Sequence, residues 1–299
     1  MKLIESSAII IPQDVGLEGI YKQCELAGRT AYKSEDRITE GSAKKFIDAM
    51  MKSNHGAVLE HGTVYLFAYF YEDKGGSPLS KYKDNKYSKY TWNDNGTYVT
   101  TNLRVLFENG WMDDLQYWCE PTEYHEKRVT AKFICSRSIA QEITRHRVFS
   151  FLMESQRYVG YNKEKFGSEI TIIIPEWIKA RINDIASYNN NDDLAQMSYA
   201  VALYGGRIHE DKAIIMWAVS QDMSEKHYLT LTSELNVKPE EARSVLTNDC
   251  KTELVMTGFA SDWKHFFDLR SKGTTRKPHP DIKILADSLL FQFTENKLI

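Results

Sequence analysis

Arg145, His146 and Arg147 stand side by side, and Glu154, Ser155 and Arg157 follow them within residues 145–158, among apolar residues that belong in a folded core. A packed segment does not hold that much positive charge without an anionic partner. The guanidinium fork suits phosphate because it donates two parallel charge-assisted hydrogen bonds. On a regular helix Arg145 and Arg147 point about 200° apart, since each residue turns roughly 100°. Two arrangements follow: a frayed helix end on which both converge, or two anions held on opposite sides of the segment. Ser155 and Arg157, two apart in an extended stretch, face one side and can share a ligand. The competing arrangement is a set of local salt bridges, for which Glu142 and Glu154 are available.

These side chains need elements to hold them. From Ser138 the spacing is helical, with Ile139 and Ile143 on one face and residues 145–147 near the C-terminal end, followed by an irregular stretch to Tyr158. Residues 17–32 and 43–52 fit amphipathic helices. Residues 63–71 are rich in β-branched and aromatic types, and 128–135 alternate Val129, Ala131, Phe133 and Cys135 against Thr130 and Lys132, which predicts two neighbouring strands. Between them, 73–126 open on Gly75, Gly76 and Pro78, run through a polar Tyr/Lys/Asn stretch, and reach a helical piece at 103–115, the pattern of a surface insertion. Residues 171–174 read as a strand stopped by Pro175, Asn189 to Asp193 as a loop, and the rest up to Leu235 as mostly helical with a break at Gly205 and Gly206. Pro239, Glu240 and Glu241 start a helix that should contain Arg243. Residues 253–257 suit a short strand. Phe259, Trp263, Phe266 and Phe267 make one apolar helix face, and Arg270 lies on it, four residues after Phe266.

Composition narrows the function. A chain of 299 residues, 42% hydrophobic and 26% charged, can bury a sizeable core. It reads as one α/β (α+β) domain spanning 1–299, a mixed or antiparallel sheet flanked by helices, with the insertion at about 73–126. A net charge of −3 gives no global attraction to nucleic acid, so an anion site must be local. No apolar run approaches the roughly 20 residues that cross a bilayer. Cys24, Cys119, Cys135 and Cys250 lie far apart without a signal-like N-terminus, which reads as reduced thiols in the cytoplasm. His55, His61 and His146 lack metal-ligand spacing, so no metal is expected.

Arg-His-Arg followed by seven residues and a serine resembles the signature of the flavin-dependent thymidylate synthases. Glu60 and His61 opening a strand, preceded by His55, resemble that family's entry to a core strand. Residues 29–34, Arg-Thr-Ala-Tyr-Lys-Ser, are similar to its first-helix motif, and Arg243 with residues 266–270 resemble its C-terminal nucleotide-binding helices.

The resemblance implies transfer of a methylene from methylenetetrahydrofolate to C5 of deoxyuridine monophosphate (dUMP), with FAD recharged by NADPH, in a homotetramer that binds flavin where subunits meet. Carried over by position, Arg145, His146 and Arg147 contact flavin and Arg145 also reaches the nucleotide. Glu60, His55 and His265 lie at the flavin. Ser155, Arg157, Arg243 and Glu142 hold the nucleotide. Arg270, and with it His55, is assigned to catalysis: making C5 nucleophilic builds negative charge on the pyrimidine carbonyls, which a fixed cation stabilises. Ser155 has no base at a fixed sequence distance and is assigned to binding. Leu152 and Met153 depart from the family pattern, which has polar groups there, so Glu154 or Gln156 must read the sugar or base. Ser261 and Ala57 depart as well, at positions where an arginine and a hydroxyl are common. Three other classes compete: a nucleic-acid binder stacking bases on the tyrosines of 82–98, a metalloenzyme, and a flavin-binding protein without synthase activity.

Overall fold

Two antiparallel sheets share helix α1, Gly16–Tyr32, and each has its own apolar core. The computed structural model describes residues 1–70, 76–157, 160–161, 169–186 and 211–299, with side chains described only as far as 182 in the stretch 169–186. The first sheet has four strands in the order β2 (Ser7–Ile11), β6 (Arg128–Ser136), β9 (Lys251–Phe259) and β7 (Ser150–Met153). The second has three, β3 (Thr63–Ala68), β5 (Gly96–Asn102) and β4 (Lys89–Asn93). A parallel pair, β1 (Lys2–Ile4) with β8 (Thr171–Ile173), completes the strands among the described residues.

Alternation in β6 and β9 decides which helices cover which face. Val129, Ala131, Phe133, Leu254 and Met256 point to one side, into a core with Trp263, Phe266 and Phe267 of α9 (Ala260–Arg270) and Leu285, Leu289 and Phe293 of α10 (Pro280–Glu295). Each such side chain contributes about 1.5–3 kcal/mol by leaving water. The residues between them, Thr130, Lys132, Glu253 and Thr257, give the opposite face a polar row, over which α1 lies. Gly258 keeps that strand close to the turn that follows α5 (Arg137–Ile143), because a Cβ there would meet the Phe149 ring at 2.3 Å.

The expectation that 63–71 and 128–135 are neighbouring strands does not hold. β3 pairs with β5, β6 pairs with β2 and β9, and the two strands meet through the bond from Arg128 N to the Tyr65 hydroxyl, 3.2 Å. The segment between them contains its own strand, β5, and closing the shorter loop costs less chain entropy. That segment, expected at the surface, is also built into the packed body: β5 is buried at every position, and Leu79, Tyr82 and Val99 share a core with Ile20, Cys24 and Ile47 of α1 and α2 (Ser42–Lys52).

The remaining α-helices among the described residues are α3 (Gly56–Leu59), α4 (Leu103–Glu108), α6 (Glu176–Ala186), α7 (Lys212–Leu229) and α8 (Pro239–Ala242). Arg243 sits at the end of α8 rather than inside it. The expected loop at 189–193 and the break at 205–206 lie outside the described residues, as do Gly75 and Tyr158. No described helix is long and apolar enough to cross a membrane.

Candidate active site

Helix α5 ends before it reaches the arginines. Its N-terminus is capped by the Ser136 hydroxyl, which accepts from Ile139 N at 3.3 Å, and its last regular residue is Ile143. Residues 145–147 then form a tight turn in which Arg147 N donates to the Arg145 carbonyl at 3.0 Å. The opposed helical geometry of Arg145 and Arg147 therefore does not arise. Both side chains are exposed, and neither has an ion-pair partner among the described residues. Glu142, the acid nearest in sequence, is engaged elsewhere: it accepts from Arg270 Nη1 at 3.1 Å.

Arg270 is fixed from two sides. Its Nη2 donates to the Glu142 carbonyl at 3.4 Å and its Nε to His146 Nε2 at 3.0 Å. Because Nε2 accepts, the proton of the neutral ring sits on Nδ1. Burial, helped by the charge of Arg270 and by His265, pushes His146 down to about 4, so it is neutral near pH 7. The ring stands edge-on to Phe266, centroids 5.0 Å apart, which ties it to the core under α9. His265 is exposed beside this group.

A second group lies beyond β7. Ser155 N donates to the Ala31 carbonyl at 2.9 Å, at the end of α1, and the Ser155 hydroxyl accepts from Arg157 N at 3.3 Å. The expected extended stretch is thus a turn. Arg157 Nε lies 3.9 Å from the Glu240 carboxylate, and Arg243 Nε donates to the Glu240 carbonyl at 3.1 Å, so Glu240 gathers both arginines. His55 is exposed at the start of α3, a helix that lies against β7, and Glu60 follows its end. Arg104 Nη1 holds the Glu60 carboxylate at 2.5 Å. His61 is fully buried, with Nδ1 2.8 Å from the Thr257 hydroxyl, and burial beside the Arg128 charge pushes it down to about 3. No cluster able to hold a metal occurs among the described residues.

The spacer needs correcting. Glu154 and Gln156 face inward: Glu154 accepts from Lys251 Nζ at 3.0 Å and from the Tyr161 hydroxyl at 3.3 Å, while Gln156 Nε2 lies 3.5 Å from Cys250 Sγ. Leu152 and Met153 pack against the two cores. Glu154 belongs to a cluster that the sequence reasoning missed. Glu253 binds Lys33, Lys251 and, at 2.5 Å, Lys132. Burial raises the Glu253 carboxyl, but Lys251 and Lys33 outweigh that and hold it at about 2. Burial lowers Lys33, which also adopts a left-handed φ of 49° to close α1. The signal available in the sequence was Lys251 and Glu253, two apart on a strand and therefore on one face.

The family model described as thymidylate synthase complementing protein matches residues 124–296, more than half of the chain. The chain belongs to this family. The matched part holds the four-stranded sheet except β2, together with α5, α9 and the two arginine groups; the second sheet lies outside it. Among curated relatives, the flavin-dependent thymidylate synthase of Pyrococcus furiosus is 29% identical over 136 residues, covering 46% of this chain and 43% of the relative. That of Synechocystis is 26% identical over 165 residues, covering 55% and 66%. The chain spans about half the length of the curated relatives it matches. A UMP/dUMP methylase, PolB from Streptomyces cacaoi, solved bound with 5-Br dUMP, aligns over 99% of this chain and 93% of its own at 16% identity and a TM-score of 0.44, too loose a likeness to carry an inference.

Proposed function

We propose that this chain makes thymidylate from dUMP, taking a methylene from methylenetetrahydrofolate and reducing equivalents from NADPH through bound FAD, as a homotetramer. The observation that carries this reading is the 145–147 turn: two exposed guanidinium groups with no acid partner among the described residues, beside an Arg270 clamped by Glu142 and His146. Cations left unpaired on a turn next to a rigid one fit a phosphate-bearing cofactor, and flavin, when bound, supplies the hydride.

The protein's own part is binding and electrostatics. Arg145 and Arg147 bind phosphate or ring oxygens, with His55, Glu60 and His265 around the cofactor. Arg270 meets the charge that grows on the pyrimidine as C5 becomes nucleophilic, and being held in advance it needs no reorganisation at that moment. A neutral His146 accepts the Arg270 Nε–H and leaves the guanidinium as the cation there. Ser155, Arg157, Arg243 and Glu142 hold the nucleotide. The Ser155 hydroxyl already accepts from Arg157 N and has no basic side chain in hydrogen-bond reach among the described residues, which favours binding over nucleophilic attack.

The test is conversion of labelled dUMP in the presence of FAD, NADPH and methylenetetrahydrofolate. Thymidylate should form only with reduced flavin, and a protein that takes up no FAD and makes none overturns the reading. A second reading, a flavin-binding protein without synthase activity, is favoured by the packing of Leu152 and Met153 and the inward turn of Glu154 and Gln156, which leave the spacer without a polar group toward the nucleotide. FAD uptake without thymidylate selects it.

A further inference from the structure

Glu60 is the acid among the residues assigned to flavin, and its side chain is 26% exposed, so a ligand can reach it. One of its oxygens is engaged: Arg104 Nη1 holds Oε1 at 2.5 Å, while Oε2 has no hydrogen-bond partner among the described residues. An ionised carboxylate accepts at both oxygens, which leaves Oε2 for an N–H or O–H of a ligand.

Arg104 comes from α4, inside the segment 73–126 that has had no part in the site so far. The start of α4 is pinned: the Asn102 side chain accepts from Val105 N at 3.2 Å, and Leu103 N donates to the Gly62 carbonyl at 2.9 Å, two residues past Glu60. Leu103, Val105 and Leu106 fill the core of the second sheet, and Arg104 is left half-exposed between them. Its guanidinium serves two acids, Glu60 through Nη1 and Glu108, one turn further along α4, through Nε at 2.8 Å. Gly56, at the start of α3, makes room for this arrangement, because a Cβ there would meet Arg104 Nε at 2.8 Å and Glu108 Oε1 at 3.1 Å. Exposed ion pairs contribute little to stability. What the two anchors do fix is where the Glu60 carboxylate stands and which of its oxygens stays open.

We infer that Arg104 is a positioning residue of the flavin site, acting through Glu60: anchored by Glu108, it holds Glu60 Oε1 so that Oε2 is preset to accept a hydrogen bond from the cofactor. A carboxylate fixed in advance loses less freedom when the ligand arrives. The segment 73–126 thereby takes part in cofactor binding without touching the cofactor. The inference rests on the reading that Glu60 faces flavin.

The test is FAD affinity of the full chain, followed by flavin fluorescence. Arg104→Ala should weaken it by about tenfold, as for one lost charge-assisted bond. The same change made in Glu60→Ala should alter it by less than about twofold, because a residue that acts through Glu60 then has nothing to position. Unchanged affinity in Arg104→Ala, or an equal loss with and without Glu60, overturns the inference and leaves the synthase reading standing. An unaltered protein that takes up no FAD overturns both. If Arg104→Ala does not fold, Gly56→Ala decides: it pushes the guanidinium aside with its charge intact, and should weaken FAD by about threefold when Glu60 is present and leave it unchanged in Glu60→Ala. Equal effects of Gly56→Ala in the two backgrounds, or none in either, overturn the inference.

Discussion

Lys33, Lys132 and Lys251 meet Glu154 and Glu253 beneath α1, whereas Arg145 and Arg147 stand on a turn with no acid among the described residues, although the two places are joined by the short strand β7. Both are dense in cations. In the first, every lysine has a carboxylate and Glu253 is held at about 2 against its own burial, so the charge is settled inside the protein. In the second, the nearest acid is drawn away by Arg270. Counting charges along the sequence does not separate a structural network from a ligand site; what separates them is whether the carboxylates are spent. Glu154, one residue before Ser155, marks the border, for it faces the lysines while Ser155 binds the end of α1 through its backbone.

The largest effect expected is on the settled side. Glu253→Gln leaves three buried or half-buried ammonium groups short of a carboxylate, and stability by urea denaturation should fall by about 3–5 kcal/mol. A loss under about 1 kcal/mol means the network is loosely solvated and the contrast fails. On the other side, Arg270→Ala should keep the fold and lower kcat for thymidylate formation by about 10²–10³-fold, the cost of removing one prearranged donor at developing charge. Normal turnover in that variant removes Arg270 from the mechanism and leaves its bonds to Glu142 and His146 a structural tie.

Much of this was legible in the sequence, and the parts that were not have physical reasons. The apolar periodicity of α1, α2 and α9 and the alternation in β6 are strong local signals, and each element falls within a residue or two of its expected bounds. Sheet partners are not local. Residues 63–68 look the same whether β5 or β6 lies beside them, and the choice was made by a strand hidden in a segment that reads as polar. Strands β1, β2 and β7 are three to five residues long, too short for periodicity, and β7 lay inside the motif itself. That Arg270 needs a partner was legible, because an arginine on an aromatic helix face seldom stands alone, and Glu142 and His146 supply it. The roles offered to Glu154 and Gln156 were not, since which way a side chain turns after a four-residue strand depends on Lys251 and Cys250, about a hundred residues away.

His61 extends the comparison to acid. His61 has a folded value near 3 and an unfolded one near 6.5, so the unfolded chain takes up a proton first. Its contribution to stability is whole above about 6.5 and is lost as pH falls toward about 3, at a slope approaching 1.4 kcal/mol per pH unit. His61→Gln should flatten the pH dependence of unfolding between 6 and 4 by about one proton. An imidazole of His61 that titrates near 6.5 in the folded protein contradicts the burial argument.

The smallest effect on stability, and the sharpest use of the contrast, belongs to Arg147→Ala. A side chain with no ion-pair partner among the described residues has little to lose on truncation, so unfolding free energy should change by no more than about 0.5 kcal/mol. FAD affinity, followed by flavin fluorescence, should weaken by about tenfold, as for one lost charge-assisted bond. The two readouts must move apart. A variant that loses stability and keeps flavin has an Arg147 settled inside the protein like Lys251, and the distinction between the two regions disappears at the residue where it was drawn.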